Sequence, residues 1–224
     1  MAVRQIPPNT RSITGFLPST TQPDTAAFES TLERDFYTLL EFDLNVDRRE
    51  VQPVRIEYRD EDGIRRTYVP DVLVIYRQDI VPARELAPIL CEVKYRADLV
   101  SNWRTLRRKL RAGRQYAVER GWEFRLMTER QIRTPYLRNA QFLLPFRHRA
   151  RNYQNETILA AAMQQLREAD PESLLLSITT DPMERAELLP SLWLMIGYRL
   201  LWTDLSLPLT MSSRIWSMDA HAWR

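Results

Sequence analysis

The spacing of apolar residues changes period several times along the chain, and each change predicts an element. From Phe28 the apolar positions Phe28, Leu32, Phe36 and Leu39/Leu40 recur every three or four residues, with Asp24 or Thr25 ahead of them as a cap. That period predicts an amphipathic helix over about 26–41. EVQPVRIEY (50–58) alternates, the charged, turn-rich RDEDGIRR follows, and TYVPDVLVIY (67–76) resumes an apolar strand pattern. Together they read as an antiparallel hairpin. LAPILCEVKY (86–95) is a further strand, and after it Leu99/Val100, Trp103, Leu106, Leu110, Tyr116 and Val118 fall near helical spacing. Trp103 and Tyr116 are expected in the core on that spacing. Gly121 stands where a C-cap is expected, and WEFRLMTE (122–129) reads as another buried strand. A strand, a crossover helix and a strand imply a parallel pair with a right-handed connection.

Beyond residue 130 the pattern becomes helical. RTPYLRNAQFLLPFRHRARNY (133–153) predicts one helix and a basic connector, and TILAAAMQQLREA, PESLLLSI and MERAELLPSLWLMIGY predict three more. RLLWTDLSLPLTMSSRIW (199–216) then reads as two strand-like stretches around Asp204–Pro208. Three helices followed by a two-stranded ribbon is the order of a winged helix. Residues 1–25, rich in Pro, Thr and Ser and without apolar period, predict an extended arm. The predicted organisation is that arm, an α/β domain over 26–148 with a mixed sheet flanked by helices, and a small winged-helix-like domain over 149–224.

Composition adds an uneven charge. The net charge is only +3, yet residues 94–151 hold 16 Lys and Arg against four acids. Of the 32 basic residues, 30 are arginine, the group that matches phosphate oxygens in bidentate fashion. A polyanionic partner is expected. No apolar run approaches the about 18 residues of a membrane span, the N-terminus lacks a secretory h-region, and the single cysteine, Cys91, falls in a core strand. The expectation is a cytoplasmic protein with no membrane association and no disulfides.

The candidate chemistry lies where charges interrupt the core strands. Alternation puts Leu90, Glu92 and Lys94 on one face, and Asp71 enters another strand just after Pro70. Burying such charges without partners costs several kcal/mol. One arrangement that satisfies them is a salt bridge of Lys94 with Glu92 or Asp71 at the sheet rim. The other is a carboxylate pair, Asp71 and Glu92, holding a hard divalent cation (Mg2+ or Mn2+), with Lys94 beside it to orient water and offset charge on phosphorus. Glu33 lies ~100° around the helix from Leu32, at the flank of the apolar stripe.

The order Pro70-Asp71, then Glu92-Val93-Lys94 in the next strand, resembles the restriction-endonuclease-like superfamily of metal-dependent nucleases. Read together, FESTLERDFYTLLEFDLNV, EVQPVRIEY, YVPDVLVIY, CEVKY and RGWEFRLMTERQIR resemble the TnsA endonuclease family over about residues 15–135. The resemblance implies a restriction-endonuclease-like core with Glu33, Asp71, Glu92 and Lys94 as its active site. The metal would be held by Glu33, Asp71, Glu92 and the Val93 carbonyl, with Gln52 in support. It implies nicking of the 5′ strand at the ends of a transposon. The implied partners are double-stranded DNA at those ends, an integrase-like transposase (TnsB-like) and an ATP-dependent regulator (TnsC-like). Arg104, Arg107, Arg108, Lys109, Arg111 and Arg114 of the basic helix are expected to track the DNA backbone. A stand-alone restriction or repair nuclease of the same fold and a DNA-bound scaffold are the alternatives. H-x-E, C-x-x-C and Walker-type motifs are missing from the sequence, which argues against a zinc site or an ATPase.

Overall fold

The computed structural model describes residues 15–17, 26–28, 30–79 and 86–217. The chain forms two compact units, Met1–Ile132 and Arg133–Arg224.

In the first unit β1 (Gly15–Leu17) pairs antiparallel with β2 (Ala26–Phe28), and α1 (Thr31–Phe42) follows. The helix thus starts later than its apolar period predicts, because Ser30 rather than Asp24 or Thr25 caps it. The Ser30 hydroxyl accepts the Glu33 amide at 3.1 Å and donates to Glu33 Oε1 at 3.2 Å. This S-x-x-E contact satisfies the Glu33 amide, which would otherwise be orphaned at the helix start, and ties the two side chains together. Phe28, counted on the helical stripe, lies in β2 instead. Apart from β1, the expected arm over 1–25 lies outside the described residues.

Next come β3 (Val46–Val51), β4 (Ile56–Arg59), β5 (Arg65–Tyr68), β6 (Val72–Tyr76) and β7 (Ile89–Val93), then α2 (Arg96–Val118), β8 (Glu123–Met127) and α3 (Glu129–Ile132). Four strands form a mixed sheet in the order β3-β6-β7-β8, antiparallel except for the parallel pair β7–β8 that α2 connects. The expected hairpin divides in two. Its base pairs as β3–β6 within the sheet, and its tip forms a separate ribbon, β4–β5. The break falls at Pro53 on one arm and Pro70 on the other, residues with no amide to donate to a ladder. Beside Pro53, Gln52 takes up φ 48°, which turns the strand out of the sheet. Asp71 lies at this joint.

All five residues of β7 are buried, and Leu90 joins Ile56, Tyr68, Leu73 and Ala117 in a core that Ala112, Tyr116, Trp122 and Phe124 cover. Each large apolar side chain buried there is worth about 1.5–3 kcal/mol. Helix α2 approaches closely because Gly113 has no side chain: a Cβ there would meet Tyr68 Cε1 at 2.8 Å and Phe124 Cε2 at 2.9 Å. The helix closes as its sequence predicts, with Gly121 at φ +70° and the Trp122 amide donating to the Ala117 carbonyl at 2.9 Å. Tyr116 packs edge-on to Trp122 as expected, whereas Trp103 is 54% exposed. The backbone leaves helical geometry at Asn102, so the stripe expected to bury Trp103 is interrupted one residue before it.

The second unit comprises α4 (Pro135–Arg147), α5 (Tyr153–Leu166), β9 (Glu168–Ala169), α6 (Pro171–Ile178), α7 (Pro182–Gly197) and β10 (Ile215–Trp216). The three helices predicted after residue 149 are present, with Asn152, Asp170 and Asp181 as N-caps. β10 pairs antiparallel with β9, and Trp202 exchanges two backbone hydrogen bonds with Trp216 at 2.8 and 3.0 Å. Helix α4, assigned from sequence to the first domain, belongs to this unit, so the division falls after Ile132 and not after residue 148. The reason is its packing on α7, where Phe142 stacks edge-on to Trp193 at 5.2 Å. Buried Asn139 also ties α4 to the 205–209 loop through Leu205 O (2.9 Å), Leu207 O (2.7 Å) and the Leu209 amide (3.0 Å). Among the described residues no helix is long and apolar enough to cross a membrane.

Substitution of Gly113 by Ala is expected to destabilise the protein by about 1–3 kcal/mol, the usual cost of overpacking, despite the better helix propensity of Ala. Urea unfolding of the variant against wild type measures it; equal or greater stability would show that the helix–sheet gap is slack.

Candidate active site

The edge where β6 and β7 end gathers the charged residues singled out in the sequence. Asp71 sits at the joint between ribbon and sheet, its carbonyl accepting the Gln52 amide at 2.9 Å. Its carboxylate reaches across to β7 and accepts the Val93 amide at 2.7 Å, continuing the ladder with a side chain. Gln52, expected in support of the site, contacts Asp71 through its main chain. Glu33 stands in the first turn of α1, oriented by Ser30. That turn is fastened to the residue after Lys94 by the Thr31–Tyr95 hydroxyl contact at 3.1 Å.

Glu92 is the most enclosed of the set at 1% exposure. Tyr68 donates to its Oε2 at 2.8 Å, while Oε1 receives Lys109 Nζ at 2.8 Å and Lys94 Nζ at 3.6 Å. The Lys94 amide is in turn held by the Met127 carbonyl of β8 at 3.0 Å. The rim salt bridge considered from the sequence thus exists, but as one contact of a larger cluster. On the other face of β7 the Cys91 thiol is pushed up to about 12 by burial and is unreactive.

The charges act on one another. Burial, then the Glu92 carboxylate, raises the Asp71 pKa well above the usual carboxylate range; Glu33 adds to this, while Lys94 and the Val93 amide oppose it. Burial works against the Lys94 ammonium, but Asp71, Glu92 and Glu33 together outweigh it and hold its pKa above the ordinary lysine value. Burial and Glu92 push the Tyr68 phenol up, so it remains a donor. Glu33, Asp71, Glu92 and Lys94 therefore share one electrostatic field, although they come from three separate elements.

Residues 43–129 match the protein family described as TnsA-like endonuclease N terminal, a span that contains Asp71, Glu92 and Lys94. The chain carries a TnsA-like endonuclease domain. No curated protein matches the chain. The matched span starts after α1, so Glu33 lies outside it, and it ends before the second unit.

The donors available in this TnsA-like site are oxygens. Among the described residues no three His, Cys, Asp or Glu side chains are assembled as a ready cage. The groups that could face a cation here, the Asp71 and Glu92 carboxylates and the Val93 carbonyl at the end of β7, offer only hard oxygens. Such a set fits Mg2+ or Mn2+ and not a soft metal, and the crowding that raises the Asp71 pKa is what a divalent cation relieves.

The basic helix divides differently from the sequence expectation. Arg104, Arg107, Arg108, Arg111 and Arg114 of α2 are exposed. Arg104 and Arg107 pair with Glu61 at the turn of the β4–β5 ribbon, their Nε atoms at 2.8 and 3.0 Å. Lys109, expected on that face, turns inward to Glu92 instead. Gly113 and Ala117, small residues four apart, share the helix face of Lys109, and that face packs on the sheet. Tyr68 was not singled out from the sequence; its place opposite Ile56 on the inner face of the ribbon is what brings it to Glu92.

Replacing Asp71 by Asn removes the crowded charge yet keeps an acceptor for the Val93 amide. Below the ordinary carboxylate range Asp71 is protonated in both folded and unfolded chains, and the substitution is neutral. As pH rises the unfolded chain ionises first, so wild type loses stability until the folded-state pKa is passed, while the variant does not. Asp71→Asn is expected to be more stable by about 1 kcal/mol at pH 8, with the gap closing toward pH 4. Urea unfolding across pH measures this; a variant less stable at pH 8 would show that Asp71 is stabilised by Lys94 more than it is strained by Glu92.

Proposed function

We propose that the protein is the Mg2+- or Mn2+-dependent DNA endonuclease subunit of a heteromeric transposase, nicking the 5′, non-transferred strand at transposon ends. The observation that carries the reading is the field shared by Glu33, Asp71, Glu92 and Lys94 at one strand edge inside a TnsA-like domain. Asp71, Glu92 and the Val93 carbonyl, with Glu33, are the groups that would hold one or two cations, and bound cations supply Lewis-acid stabilisation of charge on the phosphate. Lys94, less enclosed than Glu92, donates to the attacking water and offsets negative charge as the phosphorus becomes five-coordinate. The water oxygen bonds to phosphorus and gives a proton to solvent, while the bond from phosphorus to the leaving sugar oxygen breaks and that oxygen takes a proton from solvent to leave as a hydroxyl.

The exposed arginines of α2 supply the backbone contacts, which give affinity without sequence information. End recognition then falls to the integrase-like transposase (TnsB-like), with an ATP-dependent regulator (TnsC-like) controlling assembly. In the second unit the order α5, β9, α6, α7, the strand-like Trp202 and β10 supports a winged-helix reading of residues 153–216. Residues 191–197 of α7, the third helix of that order, are buried, and α4 packs along α7. This favours contact with a protein partner over insertion of that helix segment into a DNA groove.

A nicking assay on end-containing DNA with Mg2+, run with and without the partner subunits, tests the reading. Asp71→Ala and Lys94→Ala are each expected to lower 5′-strand cleavage by about 10²-fold or more, the scale of removing one charge-stabilising group. Cleavage by both variants at the wild-type rate would remove the site. Cutting of plain duplex by the subunit alone would identify a stand-alone nuclease, and binding without cutting under every condition a scaffold.

Duplex binding tests the arginine surface separately. Arg108→Ala and Arg111→Ala are each expected to reduce the slope of log K against log salt by about 0.9. Unchanged slopes would place the DNA on another face.

A further inference from the structure

Of the 32 basic residues in the chain only Lys94 and Lys109 are lysines. Both ammonium groups lie on the same oxygen, Glu92 Oε1, at 3.6 and 2.8 Å, although one lysine follows Glu92 on its strand edge and the other comes from the middle of α2. Everywhere else the chain uses guanidinium; at this carboxylate it uses ammonium twice. An ammonium is a compact point charge with three donors, whereas a guanidinium is a planar fork that needs room for its second nitrogen. The space at Glu92 suits the first. Lys109 Nζ stands 4.9 Å from the centre of the Tyr68 ring, whose hydroxyl donates to Glu92 Oε2 at 2.8 Å. Lys109, Tyr68 and Glu92 thus close a three-membered cluster in which the cation touches both carboxylate and ring face.

The distances divide the work between the two lysines. Lys109, with its side chain only 20% exposed, is at hydrogen-bond distance and satisfies the carboxylate; Lys94, at 30%, stands farther off and keeps its donors for water or phosphate. Gly113, one turn beyond Lys109, sets the close approach that delivers the ammonium.

We propose that Lys109 is a second lysine of the active site, a positioning residue that orients Glu92 through Oε1 and competes with the divalent cation for that carboxylate. The inference rests on the metal-dependent reading above. Removing Lys109 strips a positive charge from beside a metal ligand, which favours the cation, and frees the carboxylate to swing, which disfavours the reaction.

Calorimetric titration of the full-length protein with Mn2+ alone, paired with nicking rates at saturating Mn2+, tests it. Lys109→Met is expected to bind Mn2+ about tenfold more tightly, a modest share of the close-range repulsion at the effective protein dielectric, and to nick at least about tenfold more slowly. Lys109→Gln keeps a donor for Oε1 without the charge, and is expected to bind Mn2+ as tightly as Lys109→Met while recovering much of the rate. It also serves where Lys109→Met fails to fold. Unchanged or weaker Mn2+ binding in both variants, or equal rate loss in both, overturns the proposal. Asp71→Ala is the reference: if wild type binds no Mn2+, or binds it as well as Asp71→Ala does, the metal reading itself fails, whereas a silent Lys109 beside a deleterious Asp71→Ala removes only the role of Lys109.

Discussion

A carboxylate inside a buried strand is an expensive object, and Glu92 is one: all five residues of its strand are buried and only 1% of the residue meets solvent. Left alone it would cost several kcal/mol or give up its charge. The fold of the first unit can be understood as the set of elements that meet this one demand. The ribbon β4–β5 brings the Tyr68 hydroxyl, α2 brings the Lys109 ammonium, and the end of β7 brings Lys94. Because each partner comes from a different element, satisfying Glu92 also fixes the ribbon and the helix against the sheet. The absence of a side chain at Gly113 sets the closeness of that fit.

The same region leaves a second charge less comfortable. Asp71 accepts one backbone amide but faces Glu92 and Glu33 with only Lys94 in opposition. A stability-optimised rim would space these carboxylates or add a cation of its own; this one concentrates negative charge at a strand edge beside an arginine-rich helix. Such an arrangement costs folding free energy, and under the function proposed above a bound divalent ion would offset that cost. Helix α2 serves both sides of the bargain, with Lys109 turned to the sheet and Arg104, Arg107, Arg108, Arg111 and Arg114 turned to solvent. Glu61 holds two of those arginines on the ribbon turn, so part of the cationic face is fixed by the fold itself.

Much of this was legible in the sequence, for definable reasons. The strand–helix–strand unit, the Gly121 cap and the pairing of Asp71 with Glu92-Val93-Lys94 depend on short-range signals: period, a positive-φ glycine, and alternation within one strand. The misread features depend on competition between signals. Phe28 fits the helical stripe, but the Ser30–Glu33 capping box starts the helix later. Two prolines in otherwise good strand patterns divide one hairpin into sheet and ribbon. Trp103 follows the apolar period but lies next to the break at Asn102, and α4 carries an apolar face whose partner, α7, lies about 50 residues further along, beyond the reach of a local reading. β9, two residues long, is too short for any period. The inward turn of Lys109 needed the three-dimensional register of α2 on β7, which a run of arginines on either side concealed.

The near-exclusion of lysine has a consequence for covalent chemistry. Side-chain amines elsewhere on a protein normally dilute any amine-directed modification, but here the chain's only two are both partly enclosed around Glu92. Acylation, reductive methylation or carbamylation of a lysine side chain in this protein is therefore modification beside Glu92, and a single added mass on a lysine reports directly on whether that strand edge was open or covered when the reagent arrived.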